Sequence, residues 1–170
     1  KMIDATLFGA DVSTSAVIHN CEITGCSGTS ALNLTASGRV INCYIHDNTV
    51  PGVVSSGVGN YLIGNIIESN SGASSDGIQL TYDNIILGNA IYNNGRDGLR
   101  FTDSWISSSV VANNIFASNA GYGINSTSAP STSDAATAPA TWGNNAFYSN
   151  TSGARNNVGS SSSDVTLSAD

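Results

Sequence analysis

The sequence predicts an all-β solenoid in which short strands stack coil upon coil, and three observations support that prediction. A nine-residue phrase of the form apolar-x-x-Asn-x-apolar-x-x-Asn recurs six times, with steps of 22 to 31 residues between copies. Its apolar residues are mostly single and β-branched or aromatic, with Gly or Asn between them. No helical period of about 3.6 residues persists long enough to predict a helix. A period in the twenties with fixed columns indicates a repeat protein whose units bury their apolar faces against their neighbours.

The phrase places Asn or Cys at fixed positions. Its copies occupy residues 18–26, 40–48, 62–70, 86–94, 111–119 and 142–150. The first polar column of these copies is Cys21, Cys43, Asn65, Asn89, Asn114 and Asn145. Stacked at about 4.8 Å, each Asn amide can donate to the next coil and accept from the previous one. We therefore predict a structural ladder at one corner, with Asn also tolerating the left-handed backbone there and Cys as a small apolar substitute.

A second pattern, Gly followed by apolar-x-apolar, separates the phrases. The clearest instances are 77–80 and 98–101. Because side chains alternate along a strand, Ile78 and Leu80 share one face while Gln79 points to the other. This pattern predicts a further short strand in each coil, with an apolar inner face and a polar outer face.

On these motifs the chain resembles the right-handed parallel β-helices of the pectin-lyase-like superfamily. The residues that carry the resemblance are Asn-Ile-Ile-Glu-Ser-Asn (65–70), Asn-Ala-Ile-Tyr-Asn-Asn (89–94), Asn-Ile-Phe-Ala-Ser-Asn (114–119) and the intervening Asp-Gly-apolar-x-apolar. The resemblance implies a single-stranded right-handed parallel β-helix with three short strands per coil and about six to seven coils. The superfamily contains polysaccharide lyases, glycoside hydrolases, phage tailspikes and adhesins, so the activity remains open.

The repeat also predicts the organisation of the chain. Residues 1–150 form the β-helix, with a loop insertion at 127–140 that is rich in Ser, Thr, Ala and Pro. Residues 151–170 form a Ser-rich C-terminal segment with one last short strand. Because the chain starts inside a coil, we expect a mature form or a fragment of a longer protein.

Composition narrows the function classes. The formal net charge is −7 and only 10% of residues are charged, which argues against nucleic acid as a partner. No apolar run is long enough for membrane insertion. The amide- and hydroxyl-rich composition favours an extracellular, cell-surface or virion-surface location. Stacked Cys21 and Cys43 are expected to stay free thiols, because in-register Cβ atoms lie too far apart for a disulfide. His19 and His46 fall at different repeat phases, so no metal site is predicted.

Enzymes of this superfamily work in a groove beside one sheet, using outward residues of adjacent coils. The equivalent candidates here are Asp76, Asp97 and Arg100. Both Asp residues precede equivalent glycines, so they should stack, and paired carboxylates could cleave a glycosidic bond or share Ca²⁺. The alternative is structural: Asp-Gly is a common turn dipeptide, and Arg96 and Arg100 would pair with Asp97 and Asp103. The sequence lacks the catalytic motifs of polygalacturonases and of calcium-dependent pectate lyases.

Six further residues are candidate binding residues. They are Gln79, Tyr82, Asp83, Asp103, Trp105 and Tyr122. Tyr82, Trp105 and Tyr122 could form a strip that stacks on sugars or binds protein, because aromatic side chains combine a large apolar area with a polar handle. The alternative is that they cover coil corners.

Two functional hypotheses follow. The first is a non-catalytic extracellular or particle-surface module, a rigid structural or adhesive element that contacts glycans along its flank and self-associates through open coil ends. The second is a fragment of a polysaccharide lyase or glycoside hydrolase with a tailspike-like groove near Asp76, Asp97 and Arg100. We expect no cofactor, with Ca²⁺ as the one alternative. A trimeric spike is a third possibility, and it would show apolar outward residues along one flank.

Overall fold

A computed structural model describes residues 2–4, 9–102, 108–127 and 141–168. Within these ranges the regular structure is β: 21 strands of three to five residues form three sheets. Every strand pair is parallel, and each strand pairs with the corresponding strand of the adjacent coil. The protein is the predicted right-handed parallel β-helix.

Three sheets form the walls of the helix. The first sheet has eight strands, which are β1 (Met2–Asp4), β4 (Glu22–Thr24), β7 (Tyr44–His46), β10 (Ile66–Glu68), β13 (Ala90–Tyr92), β16 (Ile115–Ala117), β19 (Ala146–Tyr148) and β21 (Val165–Leu167). The second sheet has seven strands, which are β2 (Ala10–Val12), β5 (Leu32–Leu34), β8 (Val53–Ser55), β11 (Ile78–Leu80), β14 (Leu99–Phe101), β17 (Tyr122–Ser126) and β20 (Gly153–Asn156). The third sheet has six strands, which are β3 (Val17–His19), β6 (Arg39–Ile41), β9 (Tyr61–Ile63), β12 (Ile85–Leu87), β15 (Val110–Ala112) and β18 (Thr141–Gly143).

Six successive coils, from β1 to β18, each contribute one strand to each sheet, so the predicted three strands per coil are confirmed. The last strands, β19 to β21, extend only the first and second sheets. Beyond residue 150, β20 pairs with β17 and β21 pairs with β19. Of the predicted insertion at 127–140, residues 128–140 lie outside the described residues.

The core is a column of stacked apolar side chains. Ile67 is in register with Ile45 on one side and Ile91 on the other, and all three are fully buried. Further along, the rings of Phe116 and Phe147 stack with centroids 5.4 Å apart. Burying one such side chain contributes about 1.5–3 kcal/mol, so the column is the main source of stability.

The Asn column forms the predicted ladder. Asn65 donates from its backbone N and its Nδ2 to Oδ1 of Asn89, at 2.9 and 3.0 Å. The same pair of bonds links Asn89 to Asn114 and Asn114 to Asn145. A second buried ladder runs along the next corner through Asn48, Asn70, Asn94, Asn119 and Asn150. Each ladder satisfies buried polar groups that a turn inside the wall would otherwise leave unpaired.

The left-handed backbone lies one residue before the ladder, which corrects the prediction that ladder Asn would adopt it. Asn42, Gly64, Gly88 and Asn113 have φ between 51° and 66°. The residue before the ladder makes the turn, and the ladder residue directs its amide into the corner. Two roles that the sequence suggested for one column are therefore divided between two adjacent columns.

Cys21 and Cys43 are free thiols, as predicted. Cys43 occupies an early rung, where its backbone N donates to Asn65 Oδ1 at 2.9 Å. Burial raises the pKa of the Cys43 thiol. The part of the chain that the structure describes contains no helix long and apolar enough to span a bilayer.

Candidate functional site

Asp76 lies buried in the wall beside the second sheet, and its carboxylate is surrounded by donors. Arg96 donates Nε to Oδ1 at 2.7 Å and Nη2 to Oδ2, while Gln79 Nε2 donates to Oδ2 at 2.8 Å. The backbone N of Asp97, one coil on, donates to Oδ1 at 3.0 Å. Four donors fill the roughly four acceptor positions of a carboxylate. The hydrogen bonds to Asp76 raise the pKa of Arg96 and outweigh the effect of its partial burial.

Asp97 repeats this arrangement on the following coil. Arg100 Nη1 and Asn125 Nδ2 donate to Oδ2 at 3.1 and 2.7 Å, and the backbone N of Tyr122 donates to Oδ1 at 2.8 Å. Gly121 permits the close approach, since a Cβ there would lie 2.3 Å from Asp97 Oδ1. Asp76 and Asp97 therefore stack on adjacent coils, and each accepts a hydrogen bond from the backbone of the coil that follows.

This geometry suits structural carboxylates. Their side chains are 0% and 3% exposed, and each is paired with an arginine that lies nearer the surface. A general acid or nucleophile must reach its substrate within hydrogen-bond distance, and these oxygens already face internal donors. Arg100 pairs with Asp97 as expected, whereas Arg96 pairs with Asp76 rather than with a carboxylate of its own coil.

The other predicted binding residues are dispersed. Asp83 accepts hydrogen bonds from Ser108 N at 2.9 Å and from Ser109 Oγ at 3.4 Å. Tyr82 is 41% exposed and follows the end of β11, whereas Tyr122 begins β17. Because the strands of this sheet are parallel, Tyr82 lies beyond their C-terminal ends and Tyr122 lies at their N-terminal ends. Asp103 and Trp105 lie outside the described residues.

The outer face of the first sheet carries a cluster that the sequence analysis missed. Tyr44 and His46 stack on β7, with ring centroids 3.8 Å apart. His46 contacts Glu22 Oε1 through Nε2 at 3.1 Å and Asp47 Oδ2 through Nδ1 at 2.8 Å. Tyr44 donates its hydroxyl to Glu68 on the next coil. We call these five residues the acidic half of the face.

Two pKa shifts follow from these contacts. The hydrogen bond to Glu68, with smaller effects of burial and of the Glu68 charge, raises the pKa of Tyr44 to about 12. Burial alone would lower the pKa of His46, but hydrogen bonds to Asp47 and Glu22 raise it overall. Tyr44 is therefore neutral at physiological pH and can donate a hydrogen bond.

From β10 to β21, the same face is apolar apart from Glu68. We call it the apolar stripe, and it comprises Ile66, Ala90, Tyr92, Ile115, Ala117, Ala146, Tyr148, Val165 and Leu167. Of the nine exposed large hydrophobic residues among those described, six lie on the outer face of the first sheet. Five of these six belong to the stripe, with Ile115 51% and Tyr148 37% exposed. A concentration of exposed apolar side chains on one face is typical of a binding surface.

A shallow depression of about 390 Å³ lies beside the third sheet. Ser15, Ser37, Arg39, Gly59 and Tyr61 line it. The Arg39 guanidinium carbon lies over the Tyr61 ring, 5.3 Å from its centroid. The pair forms a small cationic patch on this side of the molecule.

Residues 6–169 match the family model described as the right handed beta helix region. The chain belongs to the right-handed β-helix family. Among solved structures, this β-helix is similar to the periplasmic alginate epimerase AlgG, with a TM-score of 0.67 and 17% sequence identity. The match covers 98% of this chain and 43% of that one, and at this identity it shows the shared fold alone. No curated protein sequence matches the chain.

Within the described part of this β-helix, no group of three or more His, Cys, Asp or Glu side chains is arranged to hold a metal ion. At the predicted carboxylate pair, Arg96 and Arg100 already supply the positive charge that a Ca²⁺ ion would bring. The sequence pattern alone could have exposed the missed face. The residues on either side of each inward Ile or Phe point outward, and in several copies they include Tyr, His or Glu.

Proposed function

We propose that this β-helix is a non-catalytic, polysaccharide-binding module of an extracellular or particle-surface protein, which binds glycan on the outer face of its first sheet. The observation that carries the proposal is the concentration of exposed tyrosines and aliphatic side chains on that one face. Tyrosine suits such a surface because its ring packs on apolar C–H groups while its hydroxyl forms hydrogen bonds.

The contacts of Asp76 and Asp97 support the non-catalytic part of the proposal. Both carboxylates are buried and hydrogen-bonded within the wall, so neither presents a free oxygen to a substrate beside the second sheet. The similar fold of the periplasmic alginate epimerase AlgG agrees with a carbohydrate-related role and with an envelope or extracellular location. End-to-end association of coils, which the sequence suggested, stays a prediction.

Binding and turnover can be measured on the same samples. The purified protein is run in native gels that contain one soluble polysaccharide each, and the same mixtures are assayed for new reducing ends and for unsaturated uronate products. We expect retardation by at least one polysaccharide and no product. Ile115→Asn should abolish retardation, and Val58→Asn is the matched control, since Val58 is an equally exposed aliphatic outside the first sheet. Product release, or equal retardation of both variants, would contradict the proposal.

A second candidate function, a carbohydrate-active enzyme, is favoured by the cluster around His46. The His46 imidazole contacts the carboxylates of Glu22 and Asp47 and stacks on Tyr44. The outer face therefore holds an imidazole that can act as a base, with carboxyl groups beside it that can act as acids. If the assay above releases product, His46→Gln should abolish that product without reducing polysaccharide binding.

A further inference from the structure

The strand register places a gap in the apolar stripe. Tyr92 on β13 is in register with Ala117 on β16, and Ala117 is in register with Tyr148 on β19. Neighbouring strands lie about 4.8 Å apart, which is about the thickness of one stacked side-chain layer. Ala117 supplies only a methyl group, so one layer is missing between the two tyrosines. The gap is floored by Ala117 and bordered by Tyr92, Tyr148 and, two residues earlier on the same strand, Ile115.

We propose that this gap binds one pyranose ring of a neutral polysaccharide, an assignment that rests on the proposed function. A pyranose is a single layer thick and has apolar C–H faces, so it replaces the missing side-chain layer and packs against the tyrosines on both sides. At the rim, the hydroxyl of the exposed Tyr148 donates to and accepts from sugar hydroxyls.

The area of the stripe argues for a glycan rather than a second copy of the chain. The stripe extends over five strands and is about three residues wide, or roughly 20 Å by 10 Å. An area of about 200 Å² falls well below the roughly 800 Å² per partner that stable protein interfaces bury. A polysaccharide is one sugar wide and needs no more than such a strip. The stripe is the apolar outward flank that a trimeric spike is expected to show, but its area is smaller than a stable interface between copies buries.

The charges on the face argue for a neutral ligand. None of the nine residues of the stripe is charged. Glu68 is in register with Tyr92, and its carboxylate accepts hydrogen bonds from Tyr44 and Tyr92. The acidic half of the face and the net charge of −7 would repel a polyuronate, and the stripe offers no arginine or lysine to bind one. A cationic polysaccharide would be drawn to the acidic half, away from the gap.

The test compares neutral, anionic and cationic polysaccharides on the intact chain. A neutral glucan, a glucomannan, a xylan, polygalacturonate and chitosan serve as probes in affinity electrophoresis, with isothermal titration calorimetry on those that retard the protein. Ala117→Phe fills the gap, and Tyr148→Ala removes one of its walls. Thr24→Phe is the control, because Thr24 occupies the equivalent outward position of β4, four strands away. Circular dichroism and the thermal midpoint verify that each variant is folded.

We expect a neutral polysaccharide to bind, Ala117→Phe and Tyr148→Ala each to weaken that binding about tenfold or more, and Thr24→Phe to leave it unchanged. Equal binding by Ala117→Phe and the native chain, or tighter binding of polygalacturonate or chitosan than of any neutral glycan, overturns the assignment of the gap and leaves the proposed function standing. A native chain that binds none of the five polysaccharides overturns the proposed function itself. Trimers in analytical ultracentrifugation that Ala117→Phe dissociates overturn the assignment in favour of self-association.

Discussion

Asp164 accepts the hydrogen bonds that Asn145 donates, at the position where another ladder Asn would lie. Asn145 N and Nδ2 both donate to Asp164 Oδ1, at 2.8 and 3.2 Å, as each earlier Asn donates to the next. The other oxygen accepts from Trp142 Nε1 at 2.6 Å and Arg155 Nη2 at 2.8 Å. A carboxylate suits this rung because it only accepts, whereas a terminal Asn would carry an amide donor that needs a further acceptor.

Asp164→Ala should lower the free energy of unfolding of the last coils by about 3 kcal/mol, because it leaves the Arg155 charge and the Asn145 donors unpaired. The measurement is a urea titration followed by the fluorescence of Trp142 in a Trp105→Phe background. Asp11→Ala is the control, since Asp11 is exposed and should change stability by no more than about 0.5 kcal/mol. Equal midpoints for the two variants would show that Asp164 does not secure this end.

The same carboxylate should make the C-terminal coils sensitive to acid. Burial would raise the pKa of Asp164, but the donors from Asn145, Trp142, Ser161 and Arg155 hold it below its usual value. A lowered folded-state pKa gives stability that is present above the unfolded-state pKa of about 4 and is lost as the pH falls through the folded-state value. We expect the urea midpoint reported by Trp142 to decrease as the pH is lowered below about 4, and we expect Asp164→Ala to reduce this dependence of the midpoint on pH. A slope that Asp164→Ala leaves intact belongs to other carboxylates.

Asn89→Ala should destabilise the protein by about 3 kcal/mol or more, because it orphans the two donors of Asn65 and removes the donor to Asn114. Asn93→Gly is the control, because it shows whether replacing an Asn outside the ladder lowers stability as much. Asn93 is exposed with φ 54°, a backbone that Gly adopts freely, so its replacement should cost less than about 1 kcal/mol. Chemical denaturation measures both, and comparable losses would refute a special role for the ladder.

Asp76 and Arg96 should be energetically coupled. Arg96→Met leaves a buried carboxylate without its charged partner and should lower the free energy of unfolding by about 3 kcal/mol. Asp76→Asn should lower it much less in the Arg96→Met background than in the native chain. A double-mutant cycle by urea denaturation gives the coupling energy, expected to be about 2 kcal/mol. Additive losses would mean that the pair contributes no mutual stabilisation, which would reopen a role for Asp76 outside the wall.

The stabilisation that His46 gives to the folded protein through the acidic half of the outer face should decrease as the pH rises. The pKa of His46 is raised in the folded state, so this stabilisation is complete below the unfolded-state pKa of about 6.5 and disappears as the pH rises through the folded-state value. Nuclear magnetic resonance titration of the imidazole, together with urea midpoints at mildly acidic and mildly alkaline pH, measures this effect. His46→Gln should remove the pH dependence, and His19→Gln, at an exposed position, should leave it unchanged.

The sequence predicted the stacked columns because a nearly constant repeat length brings equivalent residues of successive coils into register. Asn65, Asn89 and Asn114 share a column only if successive coils are in register, and Ile67 and Ile91 fix which side faces inward. The last rung was missed because its residue is Asp and its step is short. The pattern was nevertheless visible, since Asp164 precedes Val165 as Asn145 precedes Ala146.

The candidate site was harder to predict because a strand pattern gives the direction of a side chain without its partners. Asp76 and Asp97 stack on adjacent coils as expected, yet the periodicity did not show that Arg96 reaches back one coil to Asp76. The inward column of Ile and Phe does not show which outward side chains of the first sheet are neighbours. The outward tyrosines become adjacent only after the coils are aligned, when Tyr92 and Tyr148 lie on either side of Ala117.

The ladder has a direction, and that direction has a consequence for biosynthesis. Each rung donates its backbone N and one Nδ2 hydrogen bond towards the C-terminus, while a second Nδ2 hydrogen bond goes back to a carbonyl of the preceding coil, as from Asn65 to Val40 O. The backbone N of Asn65 is therefore paired only once Asn89 has docked, and that of Asn89 only once Asn114 has. A ribosome delivers the coils in that same order. The nascent chain therefore always carries one unfinished corner at its growing tip, and that corner moves forward by one coil each time a new coil is added.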